Sequence, residues 1–232
     1  MKTLVALTGA GISAESGLAT FRGADGLWEG YRIEEVASPE GWHRDKKTVL
    51  EFYNKRRTQA AEAKPNPAHK ILAELETSFD VQIVTQNVDD LHERAGSANV
   101  THLHGMLRQA RSSIDPEQII DIGSKEIHLG DKAPDGSQLR PNVVWFGEPV
   151  PMVEVAADIV SRADILLVIG TSLVVYPAAG LIDFAERGIP KYVIDPVRPD
   201  AAAASDWVHI SKTAGEGMQQ VNQILKKKHT HE

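Results

Sequence analysis

A chain of 232 residues, 42% of them hydrophobic, is long enough to fold as one large domain or as one domain with a small insert, and its composition argues against global disorder. The formal net charge of −7 argues against general nucleic-acid binding, which favours a basic face. The absence of cysteine excludes disulfides, thiolate metal sites and a cysteine nucleophile.

Apolar, β-branched stretches predict five strands, at residues 3–8, 81–86, 165–170, 191–195 and 208–210. Helical patterns lie between them, at residues 49–63, 67–77, 153–162, 177–186 and 215–227. Nearly continuous apolar strands that alternate with helices favour an α/β fold with a parallel, doubly wound sheet covered on both faces. Two segments, 24–64 and 106–142, do not fit this pattern and are predicted to be inserts.

The apolar stretch before residue 9 is too short for the apolar region of a signal peptide, and no run approaches the length of a membrane span. We therefore expect a soluble, cytoplasmic protein. We also expect a monomer that makes no direct contact with nucleic acid or membrane.

The first predicted strand ends in a glycine-rich turn, Gly9-Ala10-Gly11-Ile12-Ser13, followed by residues compatible with a helix. Such a loop brings backbone N–H groups and the positive end of a helix close to a pyrophosphate. The spacing is not that of the common dinucleotide fingerprint, because Ala14 stands where the third glycine belongs. By itself this loop is a weak indication.

Three further predicted strands also end in polar or glycine-rich segments, which begin at Gln86, Gly170 and Asp195. Because ligands of open parallel sheets bind at the carboxyl ends of the strands, four loops converging on one edge indicate a ligand site there.

The chain carries, in order, the glycine-rich loop, Thr20-Phe21-Arg22-Gly23, Thr85-Gln86-Asn87-Val88-Asp89, Leu103-His104-Gly105 and Gly170-Thr171-Ser172. With these motifs it resembles the sirtuin family of NAD-dependent protein lysine deacylases, from about residue 4 to about residue 217. The resemblance implies NAD as cofactor, acyl-lysine proteins or peptides as substrates, and nicotinamide and O-acyl-ADP-ribose as products.

The resemblance also implies one catalytic domain over residues 1–232, with a Rossmann-like part in about 1–23, 65–105 and 143–228. Residues 24–64 then form a cofactor loop and a helical lobe. Residues 106–142 form a small module, which in sirtuins usually holds a structural zinc ion.

His104 is the first candidate for chemistry. A buried structural histidine, or a metal site shared with His102 two residues away, is an alternative, although the sequence offers no third ligand nearby. A general base with a pKa near neutrality is the functional alternative. The resemblance implies that His104 and Asn87 are catalytic, and it leaves His102 structural.

The segment from Gln86 to Asp89 also has a plain interpretation, in which Asp89 or Asp90 caps the following helix. Amide side chains are in addition suited to ribose hydroxyls and the nicotinamide amide. The full set of cofactor contacts implied by the resemblance is Gly9, Ala10, Gly11, Ile12, Ser13, Phe21, Arg22, Trp28, Gln86, Asn87, Val88, Asp89, Gly170, Thr171, Ser172, Asp195 and Ala214. At Asp195 the family more often has Asn, which is a departure.

Tyr53 and Arg56 share one face of the predicted helix at 49–63. An ordinary amphipathic helix with a solvated arginine explains this spacing. Sirtuins that prefer negatively charged acyl groups carry a Tyr-x-x-Arg pair in this helix, and the resemblance therefore implies a pocket for succinyl or malonyl groups. An arginine and a phenol together are suited to hold a carboxylate.

The segments at residues 144–148 and 173–180 have two interpretations. Each can be a plain core strand and helix entry, or can flank a cleft in which a substrate peptide lies as an added strand. The resemblance implies the second, with substrate contacts from Val144, Phe146, Gly147, Glu148, Val174 and Tyr176.

The clearest departure from the family is the missing zinc site. Where the family usually has two cysteine pairs, this chain has Ser112, Ser113 and an acidic stretch with His128 as its only histidine. We expect no metal ion, and we expect apolar packing to replace it, by Ile114, Ile119, Ile120, Ile122, Ile127 and Leu129.

Three other functions use the same features: ADP-ribosyl transfer from NAD to a protein, hydride transfer on a Rossmann fold, and NAD sensing without catalysis. The presence of His104 and Asn87 argues against the last of these.

Overall fold

The structure, a computed structural model, describes residues 1–20, 27–28, 30–203 and 206–229, with the backbone alone at 27–28 and 228–229. The strands are β1 Thr3–Thr8, β2 Leu27–Trp28, β3 Tyr31–Arg32, β4 Asp80–Thr85, β5 Val100–His102, β6 Gly105–Ser112, β7 Ile119–Asp121, β8 Leu139–Val143, β9 Ile165–Ile169, β10 Lys191–Ile194 and β11 Trp207–Ile210. The α-helices are α1 Ile33–Val36, α2 Pro39–Arg44, α3 Lys46–Glu62, α4 Pro67–Leu75, α5 Leu91–Ala95, α6 Val153–Ser161 and α7 Ala214–His229. Short 3₁₀ helices cover Ala10–Ser16, Ala178–Phe184 and Asp200–Ala202.

A six-stranded parallel sheet forms the centre of the fold, in the order β11-β10-β9-β1-β4-β5. After β1 the chain adds β4 and β5 on one side and β9, β10 and β11 on the other. The connections therefore diverge on either side of β1, which opens a crevice at the carboxyl ends of the strands. The predicted α/β, Rossmann-like class is confirmed.

Side chains of β1 alternate between two apolar layers, as expected for a strand buried on both faces. Leu4 and Ala6 pack in the layer formed with α4 and α7, and Val5 and Leu7 pack in the opposite layer with α6. None of the helices in the described part of the chain is long and apolar enough to cross a membrane.

The two predicted inserts pack against each other in a third apolar cluster. Helices α1, α2 and α3 contribute Val36, Trp42 and Phe52, and the facing antiparallel sheet β7-β6-β8 contributes Leu107 and Val143. The helical lobe and the small module therefore share one core.

The strands of the small module were not predicted, because residues 106–142 are only weakly patterned. Strand β6 pairs with β8 through an irregular register between Gly105 and Ala110, which interrupts the alternation expected of a half-buried strand. The predicted helix at 177–186 was also wrong in type, since the structure has a 3₁₀ helix over Ala178–Phe184.

The expected apolar replacement for the zinc site was wrong for three of its six residues, Ile114, Ile119 and Leu129, which are exposed, whereas Ile122 packs against the third apolar cluster. Ile114 is 79% exposed and Leu129 is 55% exposed, whereas Ile127 is buried. Ser112 is buried instead, and its hydroxyl donates to the Asp135 carboxylate, contacts Ser137 Oγ at 2.8 Å and accepts from the backbone N–H groups of residues 114 and 115. Polar hydrogen bonds therefore join the two ends of the module.

Candidate functional site

A cavity of about 230 Å³ lies at the carboxyl edge of the central sheet. Its walls come from the loops after β1, β4, β5 and β8, from helix α3, and from residues 175–177. Of the residues predicted from sequence, the cavity brings together Ala10, Ser13, Tyr53, Arg56, Gln86, Asn87, Val88, Asp89, His104, Val144, Phe146, Gly147, Glu148 and Tyr176.

Other predicted residues lie beside the cavity or beyond it. Gly9, Gly11, Ile12, Gly170, Thr171, Ser172, Val174, Asp195 and Ala214 are absent from its lining. Phe21 and Arg22 lie outside the described residues, as does the side chain of Trp28. The cavity lining also includes residues that were not predicted, because apolar side chains carry no chemical signal in the sequence: Leu18, Ala19, Ala37, Val143, Trp145, Val150, Val175 and Pro177.

The glycine-rich loop is packed against the loop that follows β9. The N–H of Gly11 donates to the carbonyl of Gly170 at 2.8 Å, and a Cβ atom on Gly11 would lie 2.6 Å from the Gly170 Cα atom. Glycine is required here because two backbones touch. The loop continues into the 3₁₀ helix Ala10–Ser16, which ends at Gly17 with a φ of +86°.

Asn87, Ser13 and Asp89 form a hydrogen-bonded chain in the cavity wall. Asn87 Nδ2 donates to Ser13 Oγ at 3.1 Å, and Ser13 Oγ donates to Asp89 Oδ2 at 3.1 Å. The other carboxylate oxygen of Asp89 accepts from the N–H of Leu91, the first residue of α5, whereas Asp90, at the N-cap position, makes no capping hydrogen bond with its side chain. Burial raises the pKa of Asp89.

His104 lines the cavity and is held in one tautomer. Its Nδ1 lies 3.0 Å from the carbonyl oxygen of Gln86, which can only accept a hydrogen bond, so Nδ1 carries the hydrogen. In the neutral ring, Nε2 then holds the lone pair. Burial lowers the pKa of His104, which favours the neutral, basic form.

His102 has a different role from that of His104. Its Nδ1 donates to the carbonyl of Asn87 at 3.0 Å, and its Nε2 lies 2.7 Å from Glu93 Oε1. Burial lowers the pKa of His102, but the hydrogen bond to Glu93 and the charge of that carboxylate outweigh burial and raise it. Both ring nitrogens are occupied as donors, which argues against a metal site shared with His104.

Gln86 links two loops at the sheet edge. Its Nε2 donates to Thr171 Oγ1 at 3.1 Å, and the same hydroxyl accepts from the N–H of Leu173. Asp195, 2% exposed, accepts from the N–H of Val197. The loops after β4, β9 and β10 are thereby fixed by side chains that the sequence placed at strand ends.

Tyr53 and Arg56 both line the cavity from helix α3. Tyr53 is fully buried, and its hydroxyl accepts a hydrogen bond from Trp145 Nε1 at 3.1 Å. Burial raises the pKa of Tyr53, so the phenol stays neutral. The Arg56 guanidinium lies 5.7 Å from the centre of the Phe52 ring.

Glu148 holds the loop after β8 in place. Arg140 donates to both oxygens of its carboxylate at 2.7 and 3.1 Å, and the N–H of Trp145 donates at 2.9 Å. The roles of Arg140 and Trp145 were not predicted, because their partners, Glu148 and Tyr53, lie in other elements. Phe146 and Tyr176, which were predicted to contact a substrate peptide, line the cavity and are 45% and 76% exposed.

Comparisons with known proteins agree on one family. The sequence profile of the Sir2 family matches residues 9–177. The chain is 53% identical to the NAD-dependent protein deacylase of Bacteroides thetaiotaomicron, over 97% of this chain and 98% of that protein. It is 54% identical to the NAD-dependent protein deacylase of Helicobacter pylori strain 26695, over 94% of this chain and 95% of that protein.

Solved structures show the same relationship. A Sir2 homologue mutant in complex with ADP-ribose superposes with a TM-score of 0.91 at 43% identity, covering 100% of this chain and 94% of the other. A complex of a Sir2 homologue with NAD superposes with a TM-score of 0.88 at 44% identity, covering 98% of this chain and 90% of the other.

Proposed function

The chain belongs to the Sir2 family, and on this premise we propose that it is an NAD-dependent protein lysine deacylase whose acyl pocket favours acyl groups ending in a carboxylate, such as succinyl and malonyl. Acyl-lysine, NAD and water would yield free lysine, nicotinamide and O-acyl-ADP-ribose. The observation that carries the acyl preference is that Tyr53 and Arg56 line the same cavity as His104.

The donor set of the cavity fits a nicotinamide nucleotide. Asn87 and Ser13 supply neutral hydrogen-bonding groups beside a buried carboxyl group, Asp89, as expected for recognition of ribose hydroxyls and an amide. The site lies at the strand ends where nucleotides bind in this class of sheet. When bound, NAD supplies an activated ribose carbon and a ribose that accepts the acyl group.

His104 is the group that we assign to proton transfer. Its Nδ1 hydrogen is held by the carbonyl of Gln86, which leaves the lone pair on Nε2 to serve as the base. A ribose hydroxyl placed within hydrogen-bond reach of Nε2 would lose its proton there. Asn87, fixed through Ser13, would orient the sugar, and the apolar walls from Val144 and Phe146 would exclude water.

Tyr53 and Arg56 would meet the far end of the acyl group. An arginine supplies a permanent positive charge, and a neutral phenol supplies one hydrogen-bond donor. A charge-assisted hydrogen bond to a carboxylate is stronger than one to a neutral group, and an acetyl group has no carboxylate to offer.

Mass spectrometry of acetyl-, malonyl- and succinyl-lysine peptides, incubated with and without NAD, tests this function. Deacylated peptide and nicotinamide in equal amounts, with faster turnover of the acidic acyl peptides, are the expected result. Nicotinamide release without deacylation would instead support ADP-ribosyl transfer or NAD hydrolysis. Faster turnover of the acetyl peptide would overturn the acyl preference and leave the deacylase activity standing.

A further inference from the structure

We propose that Trp145 is a specificity-determining positioning residue, whose indole N–H fixes the Tyr53 hydroxyl as a hydrogen-bond donor towards the acyl end of the cavity. This inference rests on the proposed preference for acyl groups ending in a carboxylate. It assigns the selectivity to three residues that line the cavity, Trp145, Tyr53 and Arg56, and the role of Trp145 is exerted through its hydrogen bond to Tyr53.

The direction of the hydrogen bond follows from the two groups. An indole N–H can only donate, so the Tyr53 oxygen accepts from Trp145 Nε1 across 3.1 Å. Among the residues that the structure describes, Trp145 is the only hydrogen-bond partner of the Tyr53 hydroxyl. The phenolic hydrogen is therefore left for another acceptor.

The position of Tyr53 restricts where that acceptor can be. The side chain is fully buried, and a buried donor without a partner is unfavourable. Tyr53 lines the cavity together with Arg56. An acceptor with negative charge in this part of the cavity would accept from the phenolic hydroxyl beside the positive charge of Arg56.

Trp145 is itself held against rotation. The Arg140 guanidinium lies 3.3 Å from the centre of the Trp145 ring, and Trp42 packs on the ring at 5.7 Å. Glu148 binds the Arg140 side chain and the backbone N–H of Trp145 with the same carboxylate. The indole N–H therefore stays directed at Tyr53, with only 2% of the tryptophan exposed.

A fixed donor matters for selectivity because a free phenol can rotate. Without Trp145 Nε1–H, the Tyr53 hydroxyl could turn and accept from a ligand as readily as donate to it, which favours neutral acyl groups that carry a donor. With the indole in place, the hydroxyl oxygen already accepts a hydrogen bond from Trp145. The cavity then favours a pure acceptor such as a carboxylate over a terminal amide of the same length.

The test is a double-substitution cycle of Trp145→Phe and Tyr53→Phe. Peptides carrying succinyl-lysine, acetyl-lysine and the terminal-amide analogue of succinyl-lysine are compared by kcat/KM. We expect Trp145→Phe to lower the succinyl-to-amide ratio about three- to tenfold, mainly through KM, since the lost interaction is made in the bound ground state. We expect the double variant to show the same ratio as Tyr53→Phe alone.

Other outcomes overturn the inference. An unchanged ratio in Trp145→Phe, an equal loss for all three peptides, or two additive losses would each show that Trp145 does not act through Tyr53. If the unsubstituted protein itself prefers acetyl-lysine, the proposed acyl preference fails, and this inference fails with it.

A second measurement does not require the Trp145 variant to fold. The chain has four tryptophans, whose indole N–H signals are resolved by NMR of ¹⁵N-tryptophan-labelled protein. Tyr53→Phe removes the acceptor and should move one indole N–H proton signal upfield. If none of the four signals moves, the hydrogen bond on which the inference depends is absent.

Discussion

Glu93 and His102 form an ion pair of 2.7 Å, while the other ring nitrogen of His102 holds the carbonyl oxygen of Asn87. The charge of a protonated histidine is thereby placed against the loop that carries Asn87 and Asp89. Because Glu93 sits on α5 and His102 ends β5, this pair also joins two elements that the sequence pattern does not connect.

Glu93→Gln should lower the free energy of unfolding by about 1–2 kcal/mol at pH 6, since a charge-assisted bond is lost at a side chain that is 36% exposed. The pKa of His102 is raised above its ordinary value of 6.5. Its contribution is therefore fully present below pH 6.5 and is lost as the pH rises through the pKa of the folded state. Urea unfolding at pH 6 and pH 9 should show a smaller effect at the higher pH. Glu62→Gln, at an exposed position on α3, is the matched control and should change stability little at either pH.

His104→Ala should reduce turnover by about a hundred- to ten-thousand-fold, as expected for the loss of a general base. Folding should be retained, which a thermal melt checks, and so should NAD binding, which calorimetry checks. In the unsubstituted protein the acid limb of the pH–rate profile should have its midpoint below 6.5, because burial lowers the pKa of His104. His128→Ala, in the exposed part of the small module, serves as the control. A near-normal rate for His104→Ala would remove this residue from the mechanism.

Arg56→Met should raise KM for succinyl-lysine roughly ten- to a hundred-fold, since a hydrogen bond to a charged group contributes about 1.5–3 kcal/mol. The succinyl-to-acetyl ratio of kcat/KM should fall with it. Lys55→Met removes a positive charge from the adjacent, exposed position of the same helix and should leave the ratio unchanged. If both variants change the ratio equally, the effect is one of general charge and Arg56 has no specific contact with the acyl group.

Ser112→Ala should destabilise the protein by roughly 1–3 kcal/mol, because a buried hydroxyl with side-chain and backbone partners is removed. Ser113→Ala, at the exposed neighbouring position, should change the free energy of unfolding little.

A chelator should leave the melting temperature and the activity unchanged, since the chain has no thiolate to hold zinc. Stoichiometric zinc in the purified protein, lost together with activity on chelation, would contradict this expectation.

The central sheet could be predicted because its strands are almost wholly apolar, and the edge that carries the site follows from the direction of parallel strands. The loops at Gly9, Gln86 and Gly170 accordingly meet where the strand pattern places them. What could not be predicted depends on contacts between distant residues. Trp145 meets Tyr53 across 92 positions of the chain, and Ser112 meets Asp135 across a weakly patterned segment.

The shared core of the two inserts has a consequence for exchanging parts between related enzymes. Helix α3 carries Tyr53 and Arg56, the residues of the proposed acyl pocket, and packs on β6 and β8. Transplanting residues 24–64 alone would set a foreign apolar face against the resident small sheet. A chimaera that carries 24–64 together with 106–148 preserves that face and the anchoring of Trp145. The proposed acyl selectivity should therefore be transferred only when both segments, far apart in the gene and adjacent in the protein, are exchanged together.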